Sequence, residues 1–131
     1  MITLGLDHLG LTVSDLNASK GFFIECLGWE QIGGNPDYPA VYVSNGHAKL
    51  TLWQQKGEAR NAFDRHGNVG LHHTALKVPD EATLIALFGK VREWPGVVIE
   101  FEPQFSGKGP KVHFMIYEPG GTRLEFAFDP R

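Results

Sequence analysis

Two histidines and one glutamate are the residues of this 131-residue chain with the types and placement to do chemistry together. His8 and His73 occupy the same position in a duplicated segment: Gly5-Leu6-Asp7-His8-Leu9-Gly10-Leu11-Thr12-Val13-Ser14-Asp15 returns as Gly70-Leu71-His72-His73-Thr74-Ala75-Leu76-Lys77-Val78-Pro79-Asp80. Six of the eleven pairs are identical at an offset of 65. A histidine repeated inside an apolar, alternating stretch predicts two equivalent strands that present imidazoles toward a common centre. A metal is the usual reason for that arrangement. Glu125 joins them by strand parity. Leu124, Phe126 and Phe128 must face a core, so Arg123, Glu125 and Ala127 face the other way. A carboxylate enclosed in a sheet needs a partner, because desolvating it alone is costly. Two histidines and a carboxylate sharing a divalent ion would supply that partner. Such a set leaves coordination positions open and suits Fe(II) or Mn(II) better than a closed zinc site, with Zn, Ni or Co as further possibilities.

The elements that must position these groups come in two rounds. Residues 3–13 alternate as a strand, and Ser14 or Asp15 then caps a helix through Leu27 that ends at Gly28. Strands are expected at Trp29–Ile32, Val41–Ser44 and Lys49–Gln54, separated by turn residues. Residues 56–69 are polar and aperiodic and read as a linker. The second round follows: strand 70–78, an Asp80-started helix to Arg92, then strands 97–103, 111–117 and 122–128. The chain is thus α+β, one domain over 1–131 built of two β-α-β-β-β modules, 1–55 and 70–131. Near the end the offset becomes 74, which aligns Gly46 with Gly120, Lys49 with Arg123 and Leu50 with Leu124. The same offset sets Thr51 against Glu125. Thr51 is a poor ligand, so the site has three protein ligands and not four.

Composition narrows the partners. A net charge of −3 with scattered lysines and arginines argues against a nucleic-acid surface. No apolar run approaches the ~20 residues that span a bilayer, and the first residues lack the basic start of a signal peptide. The expectation is a cytoplasmic protein acting on a small molecule, with neither nucleic acid nor membrane as partner. A chain of this length buries about two-thirds of its unfolded surface, so the single Cys26 reads as a buried, inert thiol.

With these residues in hand, the sequence resembles the vicinal oxygen chelate superfamily, which includes glyoxalase I, bleomycin-resistance proteins, fosfomycin-resistance transferases and extradiol dioxygenases. The resemblance covers nearly the whole chain. It rests on the paired modules, His8, His73 and the run Glu118-Pro119-Gly120-Gly121-Thr122-Arg123-Leu124-Glu125. It implies that the modules curl into a curved mixed sheet of half-barrels with the helices on the convex side, the metal in the concave face, and a homodimer. Glyoxalase-like members carry a fourth ligand where this chain has Thr51, whereas extradiol dioxygenases use the three-ligand pattern. Those dioxygenases place a tyrosine where this chain has Met115, and fosfomycin-resistance enzymes a threonine where it has Gly10.

The resemblance implies a metal-dependent enzyme whose M(II) chelates vicinal oxygens of its substrate, with extradiol ring cleavage preferred. A glyoxalase- or epimerase-type isomerisation through a stabilised enolate is second, and a metal-free drug or metabolite binder third. Strand parity sets His113, Met115 and Tyr117 on the face of Glu125, which makes His113 a candidate acid/base. Lys77, two residues past His73, is a candidate to hold an anionic or enolate oxygen. Trp53 offers an aromatic wall to a planar substrate. By alternation His72 faces the helix side as a structural residue, and His47 and His66 are solvated.

Overall fold

The computed structural model describes residues 1–57 and 61–131. It divides into two compact units, Met1–Lys56 and Gly57–Arg131. In the first unit the elements run β1 (Leu9–Val13), α1 (Leu16–Gly21) continued by a π-helical turn (Phe22–Cys26), β2 (Glu30–Asn35), β3 (Ala40–Ser44) and β4 (Lys49–Gln54). In the second they run β5 (Thr74–Lys77), α2 (Glu81–Val91), β6 (Val98–Phe105), β7 (Val112–Tyr117) and β8 (Arg123–Phe128). Each unit is therefore the expected β-α-β-β-β module.

Both sheets have the same order, β1-β4-β3-β2 and β5-β8-β7-β6. In each, one parallel pair lies at one edge and the remaining pairs are antiparallel. The helical segment between the first two strands makes this possible, because a parallel neighbour has to be reached by a crossover. The register states the duplication in space. Leu9 pairs with Leu50 and Gly10 with Thr51; at the same offsets, Thr74 pairs with Leu124 and Ala75 with Glu125.

The helices start where the sequence predicts. Asp15 Oδ1 accepts from the Ala18 amide at 3.0 Å and Asp80 Oδ1 from the Thr83 amide at 2.7 Å, one N-cap per unit. The two helical segments then differ. In the first unit the helix widens into the π turn, and both Phe22 and Phe23 become fully buried. The two rings meet edge-on at 5.5 Å within this wider turn. α2 stays regular and buries Leu84, Phe88 and Val91, with Phe88 edge-on to Phe114, which stacks on Phe126. Burying side chains of this size contributes about 1.5–3 kcal/mol each. The core of each unit thus lies between its helix and one face of its sheet.

Several boundaries differ from expectation: β2 runs on to Asn35 through residues expected in a turn, and β6 runs on to Phe105. β1 and β5 begin at Leu9 and Thr74, so His8 and His73 each stand one residue ahead of a parallel edge strand. The expected linker is also more than a connection. Arg65 Nη1 donates to the Tyr117 hydroxyl at 2.8 Å, tying that stretch to β7.

Candidate functional site

Glu125 is the centre of the second unit's open face. It is 7 % exposed, and β8 carries it opposite Met115 of β7, with His113 opposite Ala127. Its two oxygens are taken up separately. His73 Nε2 lies 3.1 Å from Oε2, while His113 Nδ1 lies 2.9 Å from Oε1. Lys111 Nζ stands 3.9 Å from Oε1. A carboxylate this enclosed would be costly alone, and charge-assisted hydrogen bonds of about 1.5–3 kcal/mol each offset that cost. His113 itself is shielded by Phe101, whose ring centre is 4.9 Å away.

Around this centre runs a second set of contacts. His73 Nδ1 lies 2.8 Å from Nδ1 of His72, which in turn lies 3.3 Å from Arg123 Nη1. Arg123 grips Glu100 with two bonds, Nε to Oε1 at 2.8 Å and Nη2 to Oε2 at 2.6 Å. That fork holds the Glu100 carboxyl below its ordinary value and raises the Arg123 guanidinium. Desolvation by its neighbours, then the charge of Arg123, lowers His72. His72 is exposed and sits beside His73 and Arg123, not on the helix side that alternation assigned it. The reason is that the strand has not yet begun at residue 72, so strand parity does not apply there.

In the first unit His8 is about half exposed, and its Nδ1 lies 2.7 Å from Asp7 Oδ2. That hydrogen bond, then the charge of Lys49, holds the Asp7 carboxyl below its ordinary value. His8 borders a cavity of about 260 Å³ with Tyr42, Lys49, Thr51 and Trp53. Trp53 Nε1 donates to Thr51 Oγ1 at 2.9 Å. The indole lies edge-on to Tyr38 at 4.6 Å and tilted against Tyr42 at 5.9 Å. Gly10 and Gly33 make room for this wall. A Cβ at Gly10 would lie 3.2 Å from Thr51 Oγ1, and one at Gly33 2.9 Å from the Tyr42 ring.

Of the residues singled out from sequence, His73 and His113 therefore both reach Glu125, and Lys111, which shares the strand parity of His113, joins them as an addition. Lys77 is exposed on the strand beside β8, opposite Ala127, and borders a separate cavity of about 470 Å³ with Lys111 and Asp129. His8 belongs to the first unit. Among the described residues no group of three or more His, Cys, Asp or Glu side chains is gathered closely enough to hold a metal ion. In the second unit one imidazole nitrogen and one carboxylate oxygen meet at 3.1 Å, two donors of the kinds that borderline divalent ions accept.

Known proteins bear on this arrangement. Over 110 residues the chain is 29 % identical to the catechol-2,3-dioxygenase of Bacillus subtilis (strain 168), which covers 80 % of this chain but only 37 % of that protein's length. Among solved structures, a glyoxylase/bleomycin resistance protein/dioxygenase domain from Frankia sp. EAN1pec superposes with a TM-score of 0.82 at 22 % identity, covering 98 % of this chain and 94 % of the other. Lactoylglutathione lyase from Agrobacterium tumefaciens superposes with a TM-score of 0.72 at 21 % identity, covering 98 % and 96 %. These two likenesses are likenesses of fold. The Glyoxalase/Bleomycin resistance protein/Dioxygenase superfamily profile matches residues 5–126, nearly the full length, and the chain belongs to that superfamily.

Proposed function

We propose that this chain is a divalent-metal-dependent enzyme in which His8, His73 and Glu125 hold the ion and two vicinal oxygens of a small substrate complete its shell. Extradiol cleavage of a catechol-type ring is the reaction it supports best. The observation that carries the reading is the 3.1 Å approach of His73 Nε2 to Glu125 Oε2 on a face that also holds His113. The absence of a carboxylate at Thr51, the position equivalent to Glu125, favours three ligands over four. The catechol-2,3-dioxygenase relative supports the choice of substrate. When bound, Fe(II) or Mn(II) would supply Lewis acidity and open positions for the substrate oxygens.

The chain's own residues do the rest. An ionised Glu125 can only accept, so a neutral His113 donates from Nδ1 and is left with a lone pair at Nε2. That nitrogen can take a proton from a substrate hydroxyl and return it later. Lys77 and Lys111 supply positive charge near the face, Lys111 next to Glu125 and Lys77 on the neighbouring strand, where an anionic oxygen of substrate or product would be stabilised. Trp53 and Tyr42 give a planar ring a surface to lie on. The working unit is proposed to be a homodimer, as is common in the superfamily, and sedimentation velocity tests it.

The test is direct. Protein purified without an affinity tag should retain a divalent ion, and His8→Ala should lose it. Iron-loaded protein should turn catechols yellow only after air is admitted. No bound ion in the wild type, and no change on His8→Ala, would overturn the reading. Retained metal with no yellow product across several catechols would move the reaction to isomerisation through an enolate.

A further inference from the structure

One end of the second unit's open face is cationic. Lys77 stands on β5 opposite Ala127, and Ala127 lies opposite His113 of β7. Val112 pairs with Phe128, so Lys111 comes next to Asp129, one row further on. These groups border a cavity of about 470 Å³, and all of its lining belongs to the one unit. Its apolar floor includes the buried Val78 and Ala127 and the half-buried Leu76 and Phe128.

The charges in that lining do not cancel. Asp129 is already taken, because Arg131 grips it through Nε to Oδ1 and Nη2 to Oδ2, both at 2.9 Å. Those bonds, more than the charge of Lys111, hold its carboxyl down at about 2. Lys77, Lys111 and Arg131 set against Asp129, three charges against one, leave a formal surplus of two. Glu125, 3.9 Å from Lys111, reduces the surplus to one. Among the described residues Lys77 has no ion-pair partner. Like charges gathered over an apolar floor repel one another until an anion joins them.

We propose that this cavity is a subsite for a carboxylate carried by the substrate, so that the molecule taken is an aromatic acid and not a neutral catechol. The choice of ring rests on the function proposed above; the anion subsite does not. Ala127 is two residues past Glu125 on β8, about 6.6 Å along a strand. That is about the span of a ring with its substituent, so one small molecule can reach both places. The floor selects against a bare inorganic anion, which has no apolar surface to bury there. The ammonium groups select against a neutral ligand, which gains no charge-assisted bond from them.

The experiment is isothermal titration of metal-free protein, and of protein loaded with Mn(II), with three probes: dihydroxyphenylpropanoate, its methyl ester and inorganic phosphate. The acid should bind about tenfold tighter than the ester, and high salt should erase most of that gap. Phosphate should bind more weakly than the acid. Lys111→Gln should cost the acid about tenfold, and Lys77→Gln, at an exposed position, about three- to fivefold. Lys77→Glu removes the surplus altogether and should abolish the preference for the acid. An acid that binds no tighter than its ester in either form of the protein, or a preference that both glutamine variants keep, would overturn the inference. Phosphate binding as tightly as the acid would overturn the assignment to an organic acid. A clear preference for the acid, with no yellow product from the iron-loaded protein, would leave the subsite standing and overturn only the ring-cleavage reading.

Discussion

The two units share a topology and a register, and they spend the open face of the sheet differently. In the second unit β8 brings Glu125, and β7 brings His113 opposite Ala127. In the first unit the equivalents are Thr51, with Ala40 opposite Trp53. The large group has changed strands, from a titratable imidazole on one to an indole on the other. One face therefore gathers charge around a carboxylate, and the other forms an aromatic wall beside His8. A duplicated module has come to hold an ionisable cluster in one half and an aromatic wall in the other, without any change of backbone plan.

The largest effect should come from removing the carboxylate. Glu125→Gln keeps the volume but leaves an amide between His73 and His113, and it should weaken divalent-ion binding by at least about 100-fold. Isothermal titration with Mn(II) reads this directly. Equal affinity in wild type and variant would mean that the two halves do not differ in the way argued above.

The hairpins sharpen the comparison next. Glu118 is 1 % exposed, and its carboxylate accepts from the amides of Gly120 at 2.7 Å and Thr122 at 3.0 Å, closing the turn that delivers Glu125. Asn45 stands at the equivalent place in the first unit and accepts from the amides of His47 and Ala48, but in an exposed turn. Glu118→Ala strands two buried amides and should cost about 2–4 kcal/mol, whereas Asn45→Ala should cost about 0.5–1 kcal/mol. Urea denaturation of the pair measures the difference. Equal losses would mean that burial is not what separates the two turns.

Thr51→Glu tests whether the first unit could become a copy of the second. The new carboxylate would lie at a buried position where β3 offers Ala40, not histidine, and it would lose the Trp53 bond to Thr51. A destabilisation of about 1–3 kcal/mol is expected, read from the same denaturation curves. A neutral result, together with tighter metal binding, would show that the first half retains a latent ligand position.

What could be read from the sequence follows from these same residues. The modules, the caps at Asp15 and Asp80, and the shared face of His113 and Glu125 all come from periodicity and repeat, which are local signals. The π turn at Phe22–Cys26 was not legible, because adjacent buried aromatics fit an ordinary helix as well. Arg65 and Lys111 were missed for other reasons. Arg65 meets Tyr117 52 residues away, a contact that leaves no spacing pattern, whereas Lys111 follows the alternation of His113 but stands just ahead of β7, where a long basic side chain reads as a solvated one. His72 was misassigned because alternation was extended past the point where the strand begins.

The smallest effect lies at the far end of the histidine network. Glu100 is three-quarters covered on its side chain and carries a carboxyl lowered by its Arg123 bonds. A group lowered on folding contributes stability that is complete above its unfolded value, near 4.5, and is lost as the pH falls through its lower folded value. Glu100→Gln should therefore cost about 1 kcal/mol at pH 7, and the gap to the wild type should narrow below about pH 4 as the wild-type carboxylate takes up its proton. The first unit has no matching fork among the described residues, since Lys49 acts on Asp7 only across an exposed surface. Asp7→Asn should accordingly leave stability unchanged across the same pH range. If both variants followed one pH profile, the added anchoring assigned to the second unit would be wrong.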